Sequence, residues 1–426
     1  MIDIKTVLKA NRKGENKGIY AVCSAHPLVL KAAIEQAKQD KTPVLIEATA
    51  NQVNQFGGYT GMQPKDFLAF IGNIADDIDY PRENIIAGGD HLGPVCWVNE
   101  TAENAMEKAR VLIASYVAAG FKKIHLDTSM SCANDPTCLP DEIVASRAAD
   151  LCQVAEKTAR EVFGYSDLVF VIGTEVPPPG GAAEEIAELA LTPTIRVKQT
   201  LDLHQVEFEK LGLQEAWQRV IGLVVQPGVE FDHTNIIDYE STKAQELKAF
   251  ISTVPNIVYE AHSSDYQNDD AYVSLIQDHF AILKVGPQLT LAMREALFAL
   301  SYIEDELIPL ENKSYLREIC EEVMLEAPEN WKRFYPVPAS KETLYRRYSY
   351  SDRIRYYWHQ PRIKKAISIL FENLTENAIP LPLISQFLPE QYKAIRNNSL
   401  NISPEELVKA KIKQVTQAYA FACWKQ

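Results

Sequence analysis

Eight short apolar runs recur through the first two-thirds of the chain, separated by stretches with helical spacing. They read IYAVCSAH, VLIEATANQ, IIAGGDH, KIHLDTS, VFVIGTE, LVVQPGVEFDH, IVYEAHSSD and FAILKVG. The runs are nearly continuous in apolar residues, as strands buried on both faces are. Strand–helix alternation with eight beats predicts an α/β fold of the (β/α)8 barrel type. An open Rossmann-type sheet would place a Gly-rich turn straight after an early strand. GGYTG (57–61) is not GxGxxG and lies well past the second run.

Helices are expected at 3–13, 28–39, 104–120, 142–164, 194–212, 243–254 and 289–307, the last closing the barrel. The rhythm changes after that point. The expected organisation is a barrel over 1–308 and a helical C-terminal extension packed on it over 309–426. The extension carries an aromatic, Arg-rich run, YRRYSYSDRIRYYW (345–358), suited either to packing against the barrel or to an interface with another subunit.

Composition excludes some partners. A formal net charge of −14 argues against nucleic acid and against an anionic membrane surface. It leaves room for a phosphorylated small molecule, which a few dipoles or one cation can hold. The opening residues MIDIKTVLKANRKGEN contain no apolar signal segment, and no run is long enough to span a bilayer. The seven cysteines are odd in number and scattered, with no paired CxxC knuckles. Free thiols in a reducing cytoplasm are the expectation.

Most runs end in residues able to do chemistry, and in a barrel those ends form the active face. GGDHLGP (88–94) offers Asp90 and His91, which strand alternation puts on opposite sides, one facing the mouth and the other bracing it. A metal-ligand histidine with an adjacent acid and a structurally hydrogen-bonded histidine are both consistent with that pair. TEVPPPGG offers Glu175, QPGVEFDHTNI offers Glu230, Asp232 and His233, and EAHSSDYQ offers His262, Ser263 and Ser264. His91, Glu175, His233 and His262 together suit a divalent ion with an open position. In HLDTSMS, Asp127 points to the mouth and His125 is expected in a core layer. Lys284 reads as a Schiff-base candidate or, as expected here, the ion-pair partner of a barrel acid such as Glu47. The polar stretch 49–63 is placed to cover the mouth as a lid.

These motifs, with YSYSDRIRYYW and PLPLISQFLP in the C-terminal region, resemble the accessory, or Z, subunit family of tagatose-1,6-bisphosphate aldolase over essentially the whole chain. The galactitol and N-acetylgalactosamine pathways each use a version of it. The resemblance implies a barrel distantly similar to class II, zinc-dependent ketose-bisphosphate aldolases, in which a catalytic Asp immediately precedes a zinc His. Asp90–His91 matches that pair, and His233 and His262 are the available later zinc ligands. It further implies a cytoplasmic oligomer whose partner is a catalytic class II aldolase subunit, and a role supporting that partner's activity and stability in D-tagatose 6-phosphate degradation. The chain departs from a self-sufficient class II aldolase in its late loops, HSSDYQND and KVGPQLT, which lack a Gly-rich phosphate cradle. Ser263, Ser264, Lys284 and Asp127 remain the candidate substrate or phosphate contacts. The alternative is a metal-dependent sugar-phosphate aldolase or epimerase active by itself, with Asp90 moving the proton. A third is a pure scaffold whose polar mouth is a relic. The family has also carried a tagatose-6-phosphate kinase name, yet no GxxxxGK[ST] loop is present.

Overall fold

In the computed structural model, which describes residues 3–173 and 189–425, the eight apolar runs form a closed parallel barrel. Its strands are β1 (Ile19–Val22), β2 (Val44–Thr49), β3 (Ile85–Leu92), β4 (Lys123–Leu126), β5 (Val169–Ile172) and β6 (Val220–Val224). A two-stranded antiparallel hairpin follows, β7 (Glu230–Phe231) with β8 (Ile236–Ile237), and then β9 (Val258–Ala261) and β10 (Ile282–Val285) complete the wall. The barrel order is β1-β2-β3-β4-β5-β6-β9-β10, and β10 closes on β1 with Ile19 opposite Ile282.

The short apolar strands are buried along nearly their whole length because the barrel interior covers one face and the helix ring the other. Ile19, Leu45, Val169, Ile221, Val258 and Ile282 pack together inside, and Ile4 and Leu8 of the opening helix Ile4–Arg12 join that cluster. The strand-to-helix turns are capped locally. His26 caps the helix Pro27–Asp40 through Nδ1, which accepts the Leu28 N–H at 3.3 Å. Gly120, in the left-handed region, ends the helix Ala102–Ala119.

The sixth run departs from expectation. LVVQPGVEFDH is not one strand ending at His233; the strand stops at Val224. Pro227 lacks an N–H for the ladder and Gly228 has a φ of +92°, so the chain turns out and folds into the hairpin before the next helix.

Beyond the helix Pro287–Leu307 the chain is helical, and its last helix, Pro404–Trp424, returns to the barrel. Tyr419 stacks near Tyr20 of β1 and Tyr272, with centroids 5.8 and 4.1 Å away. Lys409 and Lys413 both pair with Glu35, and the Gly18 N–H donates to the Cys423 carbonyl. Much of the aromatic run is internal: Tyr345, Arg353, Ile354, Tyr357 and Trp358 are buried within the chain. No helix among the described residues is long and apolar enough to cross a membrane.

Candidate metal centre

The C-terminal ends of β3, β4 and β9 bring four donors together. Ligand atoms of Asp90, His91, His125 and His262 all lie within 4.8 Å of one another, and all four residues are buried. A four-coordinate zinc with bonds of about 2.1 Å spaces its donors roughly 3.4 Å apart, within the 4.8 Å that these atoms span.

Asp90 and His91 reach one cavity because β3 breaks its alternation. His91 adopts a φ of +49°, and the β3–β4 register slips between Gly89 and Leu92. A bulge of this kind re-aims a side chain, and a left-handed non-glycine residue costs about 1–3 kcal/mol unless its surroundings hold it. Strict alternation put the two side chains on opposite sides; the bulge places both at the mouth. The surroundings hold it closely, since a Cβ at Gly93 would lie 1.6 Å from the Asp127 carbonyl oxygen.

Each histidine commits one ring nitrogen outward. His91 Nδ1 lies 2.6 Å from Asp127 Oδ2, His125 Nε2 lies 3.0 Å from the Gly173 carbonyl, and His262 Nε2 lies 3.0 Å from Glu260 Oε1. All three outside groups are acceptors, so each takes an N–H; His91 Nε2 and His262 Nδ1 keep their lone pairs toward the cluster, whereas His125 Nδ1 accepts the His91 backbone N–H at 3.3 Å and lies 3.0 Å from Asp90 Oδ1. That is the pattern by which carboxylates and carbonyls fix metal-ligating histidines.

Beneath the histidines lies a buried ion network. Lys123 pairs with Glu47 at 2.6 Å and Glu260 at 2.7 Å; Lys284 pairs with Glu47 and, at 2.7 Å, with Asp90. Gly88 makes room for it, because a Cβ there would lie 2.8 Å from Glu47 Cγ. Four carboxylates, counting Asp127, face two ammonium groups, leaving two formal negative charges when the histidines are neutral. Burial disfavours the His91 imidazolium, but Asp90 and Asp127 raise its pKa, so a proton on His91 offsets part of this charge and a divalent cation among these donors would offset it instead. Burial pushes the Asp90 carboxyl up, but His91, Lys284 and His125 overcome it and hold it well below the usual range. Burial opposes the Lys284 charge, yet Asp90, Cys23, Glu47 and Glu260 drive its pKa well upward. An ammonium so held is no Schiff-base nucleophile.

The remaining sequence candidates fall in different places. His233 is not in the cluster: it sits in the turn of the hairpin, its ring against Tyr335 and Tyr345 and its Nδ1 3.2 Å from Ser351 Oγ. There it joins the barrel to the C-terminal extension. Glu175 lies outside the described residues. Ser264 is buried, donating to the Lys284 carbonyl at 2.7 Å, whereas Ser263 lines the mouth. Thr49 at the end of β2 and Gln52 and Tyr59 of the stretch after it also line it, as does Arg355 of the extension. Glu230 is buried beside the mouth, and desolvation raises its carboxyl to about 7. His125 was the ligand candidate that sequence reasoning assigned to the core. The H-x-D spacing that places it on the same side as Asp127 was the available signal.

The chain matches, over residues 4–424, the family described as D-tagatose-1,6-bisphosphate aldolase subunit GatZ/KbaZ-like. Among solved structures it is similar to a probable tagatose 6 phosphate kinase from Sinorhizobium meliloti 1021. Identity is 47%, coverage is 96% of this chain and 100% of that one, and the TM-score is 0.88. Two more distant matches are the fructuronate-tagaturonate epimerase UxaE from Cohnella laeviribosi and the YdjI aldolase from Escherichia coli K12. The first has 12% identity, 96% and 81% coverage and a TM-score of 0.48. The second has 13% identity, 86% and 96% coverage and a TM-score of 0.40.

Proposed function

Since the chain belongs to the GatZ/KbaZ-like family of D-tagatose-1,6-bisphosphate aldolase subunits, we propose that it holds a divalent metal at its own barrel mouth and acts there on a phosphorylated ketose, alongside a catalytic class II aldolase subunit. The observation that carries this is the set of three histidines, each anchored outward through one nitrogen and converging with Asp90 through the other.

A divalent ion held by His91, His125 and His262 would keep an open position beside Asp90 and would supply Lewis-acid polarisation of a ketose carbonyl there. The chain's own groups do the rest. Asp90, the acid of the cluster, lies at the mouth beside the histidines and is the group there that would take or return a proton. Lys284 keeps Asp90 charged and fixed, and Asp127 and Glu260 orient the histidines. Tyr59 and the stretch around it limit access of water. Metal-assisted carbon–carbon cleavage and epimerisation of a ketose phosphate both use this combination.

One observation favours a purely supporting role. The usual phosphate position of such barrels, at the late loops and a helix N-terminus, is filled by Asp265, whose Oδ1 accepts the Gly286 and Gln288 N–H groups at 3.0 and 2.8 Å. The test separates the two. The purified chain is loaded with zinc and assayed alone for cleavage of D-tagatose 1,6-bisphosphate and epimerisation of D-tagatose 6-phosphate, then with the class II subunit added. Bound zinc that is lost in H91A and H125A, with turnover by the chain alone, is expected. A chain that binds no zinc, or that only raises the partner's rate, sinks the metal-enzyme reading.

A further inference from the structure

Arg355 reaches the barrel mouth from outside the barrel. It lies in the turn Arg353–Tyr356 of the C-terminal extension, which Asp352 fastens to the helix Pro287–Leu307: its carboxylate accepts from Thr290 Oγ1 at 2.7 Å and Arg294 Nε at 2.9 Å. Arg355 and Tyr356 thereby line the same cavity as Asp90, His91 and His262. Tyr59, from the stretch after β2, packs edge-on against Tyr356 with centroids 5.0 Å apart and closes the opposite side.

What the guanidinium lacks is an ion pair. Its hydrogen bonds go to the Ser351 carbonyl, the Asp352 carbonyl at 3.3 Å and the Tyr356 hydroxyl at 3.0 Å, all neutral acceptors. No carboxylate among the described residues stands within ion-pairing distance of it. Elsewhere in the extension and its seat, Arg294 pairs with Asp352 and Arg346 with Glu321. The other permanent cation lining the cavity among the described residues, Lys284, is already taken by Glu47 and Asp90. The backbone N–H groups at Gly286 and Gln288 are taken by Asp265. A half-buried guanidinium with no ion pair, on which Asp352 and Asp265 act only from beyond pairing distance, has donors to spare for a planar or tetrahedral oxyanion.

We infer that Arg355 is the phosphate-binding residue of this mouth, holding a phosphate group of the ketose where the late barrel loops do not. The inference rests on the reading of the chain as one that handles phosphorylated ketoses, and it moves the phosphate from the barrel loops to the extension.

The full chain, wild type and with Arg355→Gln or Arg355→Lys, is titrated with inorganic phosphate by calorimetry, then with D-tagatose 6-phosphate and with D-tagatose. R355Q is expected to weaken phosphate and the sugar phosphate tenfold or more while changing D-tagatose by less than about twofold; R355K retains part of the binding. Inorganic phosphate reads this subsite without metal or turnover, so failure of the metal centre leaves the result standing, and zinc binding by R355Q tests the centre separately. Wild-type chain that does not bind phosphate, R355Q that binds it as wild type does, or an equal loss for both sugars would overturn the inference.

Discussion

Asp127 would act on the candidate metal through the His91 ring. It receives the His91 Nδ1–H at 2.6 Å and so leaves Nε2 as the ligand atom. Asparagine at this position keeps the shape but loses the charge. D127N is therefore expected to lower zinc affinity about 10- to 100-fold with little change in fold. Competition against a chromophoric chelator measures it, and unchanged affinity would remove Asp127 from this role. His26 offers a residue-scale test by pH. Its Nδ1 must stay unprotonated to cap its helix, and burial, helped by Lys364, lowers its pKa from 6.5 to about 3. Between those values the unfolded chain binds the proton and the folded chain does not, so stability falls as pH drops from about 6.5 toward about 3. Asparagine caps a helix without titrating. Denaturant midpoints at pH 7 and pH 5 should fall further for wild type than for H26N; parallel slopes would count against the cap.

At the scale of elements, strand β3 carries two of the four donors. Its alternation would have separated Asp90 from His91, and the bulge at His91 reunites them at the cost of a strained backbone. Gly93 fixes the exit. Its φ of 178° is open to any residue, so space and not conformation demands glycine. Gly93→Ala drives a methyl into the Asp127 carbonyl and must displace β3 from β4. The expected cost is about 3 kcal/mol or more in chemical denaturation, with zinc binding lost as His91 and Asp127 move apart. Retained zinc binding would show that the two strands are not coupled this way. The hairpin after β6 made the opposite difference, carrying His233 away from the mouth to Tyr335, Tyr345 and Ser351 of the extension.

At the scale of the molecule, barrel and extension share one apolar core, which runs from Val22 and Ile34 through Leu297 to Ile412 and Tyr419. We propose that residues 309–426 complete the barrel as well as packing on it. A chain ending at residue 308 exposes the outer face of the helix Pro287–Leu307 and the seat of Tyr419 on β1. That fragment is expected to aggregate or unfold without a cooperative transition in calorimetry. A soluble fragment with a sharp transition would establish 1–308 as an independent domain. The same dependence reaches the mouth, since Tyr356 and Arg355 arrive from the extension.

The sequence by itself determined the barrel. Continuous apolar runs alternating with helical stretches can bury both strand faces only in such a layered fold, and the positions of Asp90, His91, Asp127 and His262 at run ends followed from that pattern. It also indicated the pairing of Lys284 with Glu47, because a lone lysine inside a barrel requires an acid. Tertiary structure alone decided the rest. Whether Asp90 and His91 share a cavity depends on one backbone torsion, and torsions are not written in hydrophobic periodicity. That His125 joins the cluster depends on the register of β4 against β3. That Arg355 reaches the mouth depends on a chain returning across more than two hundred and fifty residues from β3. Local pattern fixes which face a residue takes; only packing between distant segments fixes what it meets there.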